Sequence, residues 1–127
     1  MNDKTYPELY DHLRSLMGQL AKESPGPVGA FSQLHHKSLA EGALTTKVKE
    51  LMCLAIGIAV HCDGCIAYHV HDALKAGASR EEVVETVAVA MMMGGGPAAV
   101  YAAMAIEALD QFQQLGGSGV PSSIARS

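Results

Sequence analysis

Two cysteines and the two residues between them offer the clearest chemistry in the sequence. Cys62-Asp63-Gly64-Cys65 places two thiols three residues apart, at or near the predicted start of a helix. This spacing brings the sulfurs close enough to form a disulfide without a backbone rearrangement. A helix N-terminus also favours a thiolate, because its unpaired N–H groups and the helix dipole stabilise negative charge. The pattern therefore indicates redox chemistry or metal binding.

Two further residues could transfer protons beside this pair. His69 follows Cys65 by four residues, so on a helix it lies on the same face, one turn along. It could accept a proton from one thiol or donate one to a leaving thiolate, which favours Cys65 as the sulfur that meets a substrate. Glu50 lies on the preceding predicted helix, near the start of an apolar run. A carboxylate there could orient His69 or relay a proton.

Less reactive roles are open for the same residues. Glu50 could be a surface residue paired with Lys47 or Lys49, and His69 could be a core or interface histidine. The remaining histidines that could be considered are expected to pack or to face solvent: His35, His36, His61 and His71.

A zinc site is the alternative that uses the same residue types. Cys62, Cys65 and His69 supply three ligands, whereas a structural zinc site takes four, usually as two separated pairs. We therefore predict no bound metal and no cofactor. Cys53, one turn from Glu50, could line the same cavity, but a buried inert thiol is the simpler interpretation.

Helical periodicity runs through the chain and predicts an all-α fold of about six helices. The third helix is apolar all round at its centre, so we expect it to be the most buried. Capping patterns at residues 5–8 and 79–82 mark the starts of the first and fifth helices, and the second helix follows residues 24–27. The third helix is predicted from Thr45 or Thr46 to about Val60, and the fourth from near Cys62 to Lys75. The sixth helix is predicted from Pro97 to near residues 116–117.

Length and composition limit the possible classes of protein. The chain has 127 residues, which predicts one domain over 1–127 with a flexible tail at 117–127. The net charge is −4 and basic residues are scattered, so we expect no nucleic-acid partner and no membrane partner. The uncharged stretch 87–106 predicts two buried helices around a glycine turn. No targeting segment is recognisable, which predicts a cytoplasmic protein. Only 17% of residues are charged, which favours an oligomer.

The order of the four candidate residues resembles a known family. Glu50, eleven residues, Cys62-x-x-Cys65, three residues and His69 is similar to the core of alkylhydroperoxidase D-like proteins of the carboxymuconolactone decarboxylase superfamily. The resemblance covers roughly residues 45–110. One position differs, because peroxidase members often carry His directly before the second cysteine, where this chain has Gly64.

The resemblance implies a fold, a reaction and partners. It implies an all-α bundle that forms a homotrimer or homohexamer. It implies peroxiredoxin-type chemistry, in which Cys62 and Cys65 cycle between dithiol and disulfide while Glu50 and His69 relay protons. The substrate would be a small hydroperoxide or disulfide, and the reductant a lipoyl-bearing or thioredoxin-like partner. Two alternatives stay open, namely a lyase acting on a small lactone or acid, and a non-enzymatic oligomer that senses redox state.

Overall fold

Six α helices make up the protein between residues 4 and 117, the range that the computed structural model describes. No strand occurs in this range, so the predicted all-α class is confirmed. The predicted helix boundaries agree with the structure to within about three residues. The helices are α1 (Tyr6–Glu23), α2 (Pro25–Leu39), α3 (Thr46–Ala59), α4 (Asp63–Lys75), α5 (Arg80–Gly94) and α6 (Gly96–Gly117).

Side-chain caps explain where several helices begin. Thr5 and Ser79 each form a complete capping box, with Glu8 and Glu82 returning the hydrogen bond to the cap residue. Thr45 caps α3 by accepting the N–H of the third helical residue. Because each cap satisfies backbone donors that the helix leaves unpaired, each contributes about 1 kcal/mol to helix stability.

The core lies where α4 and α6 pack with α3 and α5. α3 makes its most extensive contacts with α4 and α5, and α5 packs along α6. Leu54 and Ile58 of α3, Ile66 of α4 and Phe112 of α6 are among the largest fully buried side chains. Burial of each such side chain stabilises the fold by roughly 1.5–3 kcal/mol relative to exposure. This core fixes α3 against α4, the two helices that carry the predicted chemical residues.

The prediction that α3 is the most buried helix is wrong for the single chain. Glu50, Leu54, Gly57 and Ile58 are buried, but Ile56 on another face of α3 is 61% exposed. α4 buries more of its length, because α3, α6 and α1 all pack against it. The apolar outer face of α3 therefore has no covering element among residues 4–117.

The uncharged stretch 87–106 forms the end of α5, a turn and the start of α6, as predicted. Gly95 makes the turn with a φ of 77°, a left-handed conformation that suits glycine. The predicted burial holds for one face only, since Met92 and Met93 are 69% and 74% exposed. Within the described range, no helix is long and apolar enough to cross a membrane.

The C-terminal tail and the domain assignment both involve residues that the structure does not describe. The flexible tail was predicted for 117–127, and residues 118–127 lie outside the described range. The assignment of residues 1–127 to one domain stays a prediction.

Candidate active site

Cys62 and Cys65 form a disulfide at the start of α4. Their Cα atoms are 5.2 Å apart, within the usual range for a disulfide. α3 ends at Ala59, and His61 turns the chain with a φ of 61°. The N–H of Cys62 then donates to the carbonyl of Gly57 at 2.9 Å, which ties the motif to the end of α3.

Cys62 is the N-cap residue of α4, as its position in the motif suggested. Its Sγ accepts a hydrogen bond from the N–H of Cys65 at 3.1 Å. A backbone donor aimed at a sulfur stabilises negative charge there when the disulfide is opened. The helix N-terminus thus supplies the electrostatic support for a Cys62 thiolate.

Gly57 of α3 allows the close approach of the two helices at the disulfide. A Cβ atom at this position would lie 2.8 Å from the Cβ of Cys65, a distance too short for two carbon atoms. Any side chain at position 57 would therefore push α4 away from α3. Sequence reasoning missed this residue, because a glycine inside an apolar helix gives no signal of what it packs against.

Glu50 and His69 form a hydrogen-bonded pair across the interface of α3 and α4. Oε1 of Glu50 lies 2.8 Å from Nδ1 of His69. The side chains are only 6% and 16% exposed, so the pair is largely shielded from water. A hydrogen bond between a carboxylate and an imidazole holds the ring orientation and sets which nitrogen carries the proton.

The surface-residue alternative for Glu50 is wrong. Lys47 instead pairs with Glu82 of α5 at 3.0 Å. Lys49 donates to the carbonyl of Ala40 at 2.6 Å. Both lysines are therefore engaged elsewhere, and the buried carboxylate contacts His69.

Helix α1 holds the two residues between the cysteines. The hydroxyl of Tyr6 donates to Oδ1 of Asp63 at 2.8 Å. Leu13 lies over Gly64, where a Cβ atom would be 2.9 Å from its Cδ1. Burial, and then the bond to Asp63, raise the pKa of Tyr6 well above its ordinary range. Sequence reasoning missed these contacts, because they join residues far apart in the chain, 57 positions apart for Tyr6 and Asp63.

Cys53, the remaining cysteine, lies beside the Glu50–His69 pair. Its Sγ, a carboxylate oxygen of Glu50 and a ring nitrogen of His69 all lie within 4.8 Å of one another. Burial, followed by the negative charges of Glu50 and Asp72, raises the pKa of the Cys53 thiol. We expected Cys53 to be a buried thiol, but the residue is only half-buried.

The other histidines considered from the sequence have contacts or positions outside this cluster. His71 is buried and stacks on Tyr10, with ring centroids 4.0 Å apart, as a packing residue. His61 is exposed and stacks on Tyr101. His35 and His36 are exposed on α2. The zinc set considered from sequence would need the two sulfurs of the Cys62–Cys65 disulfide as thiolates.

Comparison with known proteins supports a family assignment. A sequence model of the carboxymuconolactone decarboxylase family matches residues 25–108, about two thirds of the chain. The chain belongs to the carboxymuconolactone decarboxylase family. The matched range of this family member contains both cysteines of the disulfide, Glu50 and His69.

Two relatives of this family member match most of its length. It is 36% identical over 93 residues to an uncharacterized protein of Cupriavidus necator, covering 73% of this chain and 82% of the relative. It is 32% identical over 95 residues to an uncharacterized protein encoded in the cox locus of Paracoccus denitrificans, covering 75% and 86%.

Solved structures of the family share the fold. A carboxymuconolactone decarboxylase family protein from Legionella pneumophila superposes with a TM-score of 0.81 at 37% identity, covering 84% of this chain and 96% of that one. A family protein from Thermotoga maritima gives a TM-score of 0.81 at 26% identity, covering 88% and 96%. A role in an antioxidative response has been suggested for the Thermotoga protein.

Proposed function

We propose that the protein is a thiol-dependent peroxidase or disulfide oxidoreductase that cycles Cys62 and Cys65 between dithiol and disulfide. One observation supports this most: the disulfide lies at the N-terminus of α4, one turn before a histidine held by a buried carboxylate. A nucleophile at a helix N-terminus with an oriented base nearby is the arrangement that thiol chemistry needs.

In the oxidative half of this cycle, the Cys65 thiolate attacks one oxygen of a hydroperoxide. The O–O bond breaks, an alcohol leaves, and Cys65 becomes a sulfenic acid. Cys62 then attacks that sulfur as a thiolate, the disulfide forms, and the hydroxyl leaves as water. We assign to His69, held by Glu50, the removal of the Cys65 proton and its delivery to the leaving oxygen.

In the reductive half, a dithiol such as a lipoyl group or a thioredoxin-like partner reopens the disulfide. Its thiolate attacks Cys65, and Cys62 leaves as a thiolate stabilised by the N–H of Cys65. The second thiol of the reductant then attacks the mixed disulfide and releases Cys65, which takes its proton from His69. Such reductants are abundant in the cytoplasm, which is where we propose that the protein acts.

Gly64 distinguishes this chain from peroxidase members that carry His before the second cysteine. Leu13 of α1 covers Gly64, so a side chain at that position requires Leu13 to move. In our proposal, Glu50 and His69 therefore handle the protons without help from a residue at position 64.

We also propose that the chain assembles with copies of itself. Several large apolar side chains are exposed near the ends of α3 and α5 and the start of α6. They include Ile56, Val60, Met92, Met93 and Val100. These helix ends are neighbours, because a Cβ at Gly94 would lie 3.8 Å from the Cα of Ala59. A cluster of exposed apolar side chains on a chain of this size is typical of a subunit interface.

The proposal is tested by turnover of an organic hydroperoxide with dihydrolipoamide as reductant. We expect activity in the wild type and none in Cys65→Ala, which lacks the attacking thiol. A lyase of the same family would use Glu50 and His69 alone, so turnover of a small lactone that survives Cys62→Ala would replace our proposal. A protein without turnover whose assembly changes on oxidation would instead be a redox sensor.

A further inference from the structure

Cys53 is the one residue of the site cluster that the proposed cycle does not use. It lies one turn after Glu50 on α3 and faces His69 of α4. A sulfur, a carboxylate oxygen and a ring nitrogen thus meet within 4.8 Å of one another. Each of the three groups can donate an electron pair to the same ion.

We propose that Glu50, Cys53 and His69 form a binding site for a divalent transition metal of the zinc class. Thiolate sulfur, imidazole nitrogen and carboxylate oxygen are the ligands that zinc takes in proteins. Three protein ligands and a water molecule in the fourth position are typical of catalytic zinc sites.

The distances suit an ion with modest side-chain adjustment. Ligands around a tetrahedral zinc lie roughly 3.3–3.8 Å apart, given metal–ligand distances of about 2.0–2.3 Å. The 2.8 Å hydrogen bond between Glu50 and His69 would open by less than about 1 Å as the ion replaces its proton. The sulfur of Cys53, within 4.8 Å of both, would move slightly inwards.

The charges around the cluster also favour a cation. A bound divalent ion displaces the Cys53 proton to solvent, and its two positive charges cancel those of the resulting thiolate and of Glu50. Asp72 of α4 adds negative potential near Cys53, although its carboxylate is also bonded to His71. Lys47 and Lys49, the lysines nearest in sequence to Glu50, are bound elsewhere.

Metal binding would stop the proton relay. An ion on Glu50 and His69 occupies the electron pairs that otherwise hold and pass the proton. Zinc would then inhibit the thiol cycle without touching Cys62 or Cys65, and this consequence rests on the proposed function. Binding itself does not, so the test below measures binding alone.

The experiment uses the full chain with the Cys62–Cys65 disulfide formed and no added reductant. In that state Cys53 is the one free thiol of the three cysteines. Cobalt(II) serves as the probe, because a thiolate ligand gives a charge-transfer band in the near ultraviolet. We expect one cobalt per chain with that band, and its displacement by zinc.

Variants distinguish this site from adventitious binding. We expect Cys53→Ser to lose the band and to weaken zinc binding at least roughly 10- to 100-fold, with Glu50→Gln also weakened. The control is His35→Asn with His36→Asn, which removes the exposed pair on α2 and should change neither result. The proposal is overturned if the oxidised protein shows no thiolate band, if Cys53→Ser binds zinc as wild type does, or if the control variant loses binding.

Discussion

Oε1 of Glu50 on α3 lies 2.8 Å from Nδ1 of His69 on α4, and both side chains are largely buried. When the carboxylate is ionised it accepts the Nδ1 proton, so that Nε2 is the nitrogen left to accept one from a substrate or thiol. The pairing of a residue from each helix makes the relative position of α3 and α4 part of the chemistry.

Glu50→Gln should slow disulfide formation while the fold is kept. The amide has the same shape but cannot hold the Nδ1 proton of His69 as an anion does. We expect the rate of hydroperoxide reduction to fall roughly 100-fold, the lower end of what general acid–base catalysis supplies. Stopped-flow measurement of thiol loss checks this. Glu85→Gln, an exposed glutamate on α5, is the matched control and should react at the wild-type rate.

Gly57→Ala should destabilise the protein, although alanine favours helices. The added Cβ would lie 2.8 Å from the Cβ of Cys65, so α3 and α4 must separate. Overpacking costs roughly 1–3 kcal/mol and the helix propensity of alanine returns about 1 kcal/mol, so we expect a net loss of about 1 kcal/mol in the free energy of unfolding. Gly29→Ala on α2 is the control, because it has open space and should stabilise slightly. Urea unfolding midpoints compare the two, and equal shifts would contradict the packing argument.

Tyr6→Phe should make stability less sensitive to alkaline pH. The folded pKa of Tyr6 is raised by burial and by the bond to Asp63, whereas an unfolded tyrosine ionises near pH 10. Above about pH 10 the unfolded chain loses this proton and the folded chain keeps it, so stability falls as pH rises through that window.

Urea unfolding at neutral pH and above about pH 10 measures this effect. The pKa values of Tyr10 and Tyr68 are also raised by burial, so the Tyr6→Phe variant still loses some stability at alkaline pH through these two residues. The difference between wild type and Tyr6→Phe isolates Tyr6. An identical alkaline loss in both proteins would show that Tyr6 ionises as readily folded as unfolded. At neutral pH the variant should be less stable by about 1 kcal/mol through the lost hydrogen bond.

The double variant Met92→Lys, Met93→Lys should weaken self-assembly. Both side chains are largely exposed in the single chain, and burial of each at an interface would contribute roughly 1.5–3 kcal/mol. Sedimentation velocity should show a wild-type oligomer and a smaller species for the variant. Gln19→Lys, an exposed change on α1, should leave the oligomer intact. A wild-type monomer would rule out the interface.

Local signals in the sequence predicted the helices well. Capping patterns at Thr5 and Ser79, together with the turn at Gly95, mark helix ends through contacts within a few residues. The spacing of Cys62 and Cys65 likewise sets their separation along one helix start. Such features depend on local geometry, which a sequence displays directly.

Contacts between helices were harder to predict. The approach of Gly57 to Cys65, and the bond of Tyr6 to Asp63, depend on how α3 and α1 pack on α4. The burial of α3 was overestimated, because apolar residues predict a covered face without showing which chain covers it. The sequence does not decide the partner of Glu50 for the same reason, since Lys47, Lys49 and His69 are all candidates.

The most direct test of the thiol cycle is a thiol count on the reduced protein after one equivalent of hydroperoxide. The reduced chain has three thiols, and our account predicts that one remains, with Cys62 and Cys65 joined and dihydrolipoamide restoring all three. Peptide mapping identifies the joined pair. Our account is contradicted if three thiols persist after exposure to both hydroperoxide and oxidised lipoamide, or if Cys65→Ser consumes hydroperoxide as fast as the wild type.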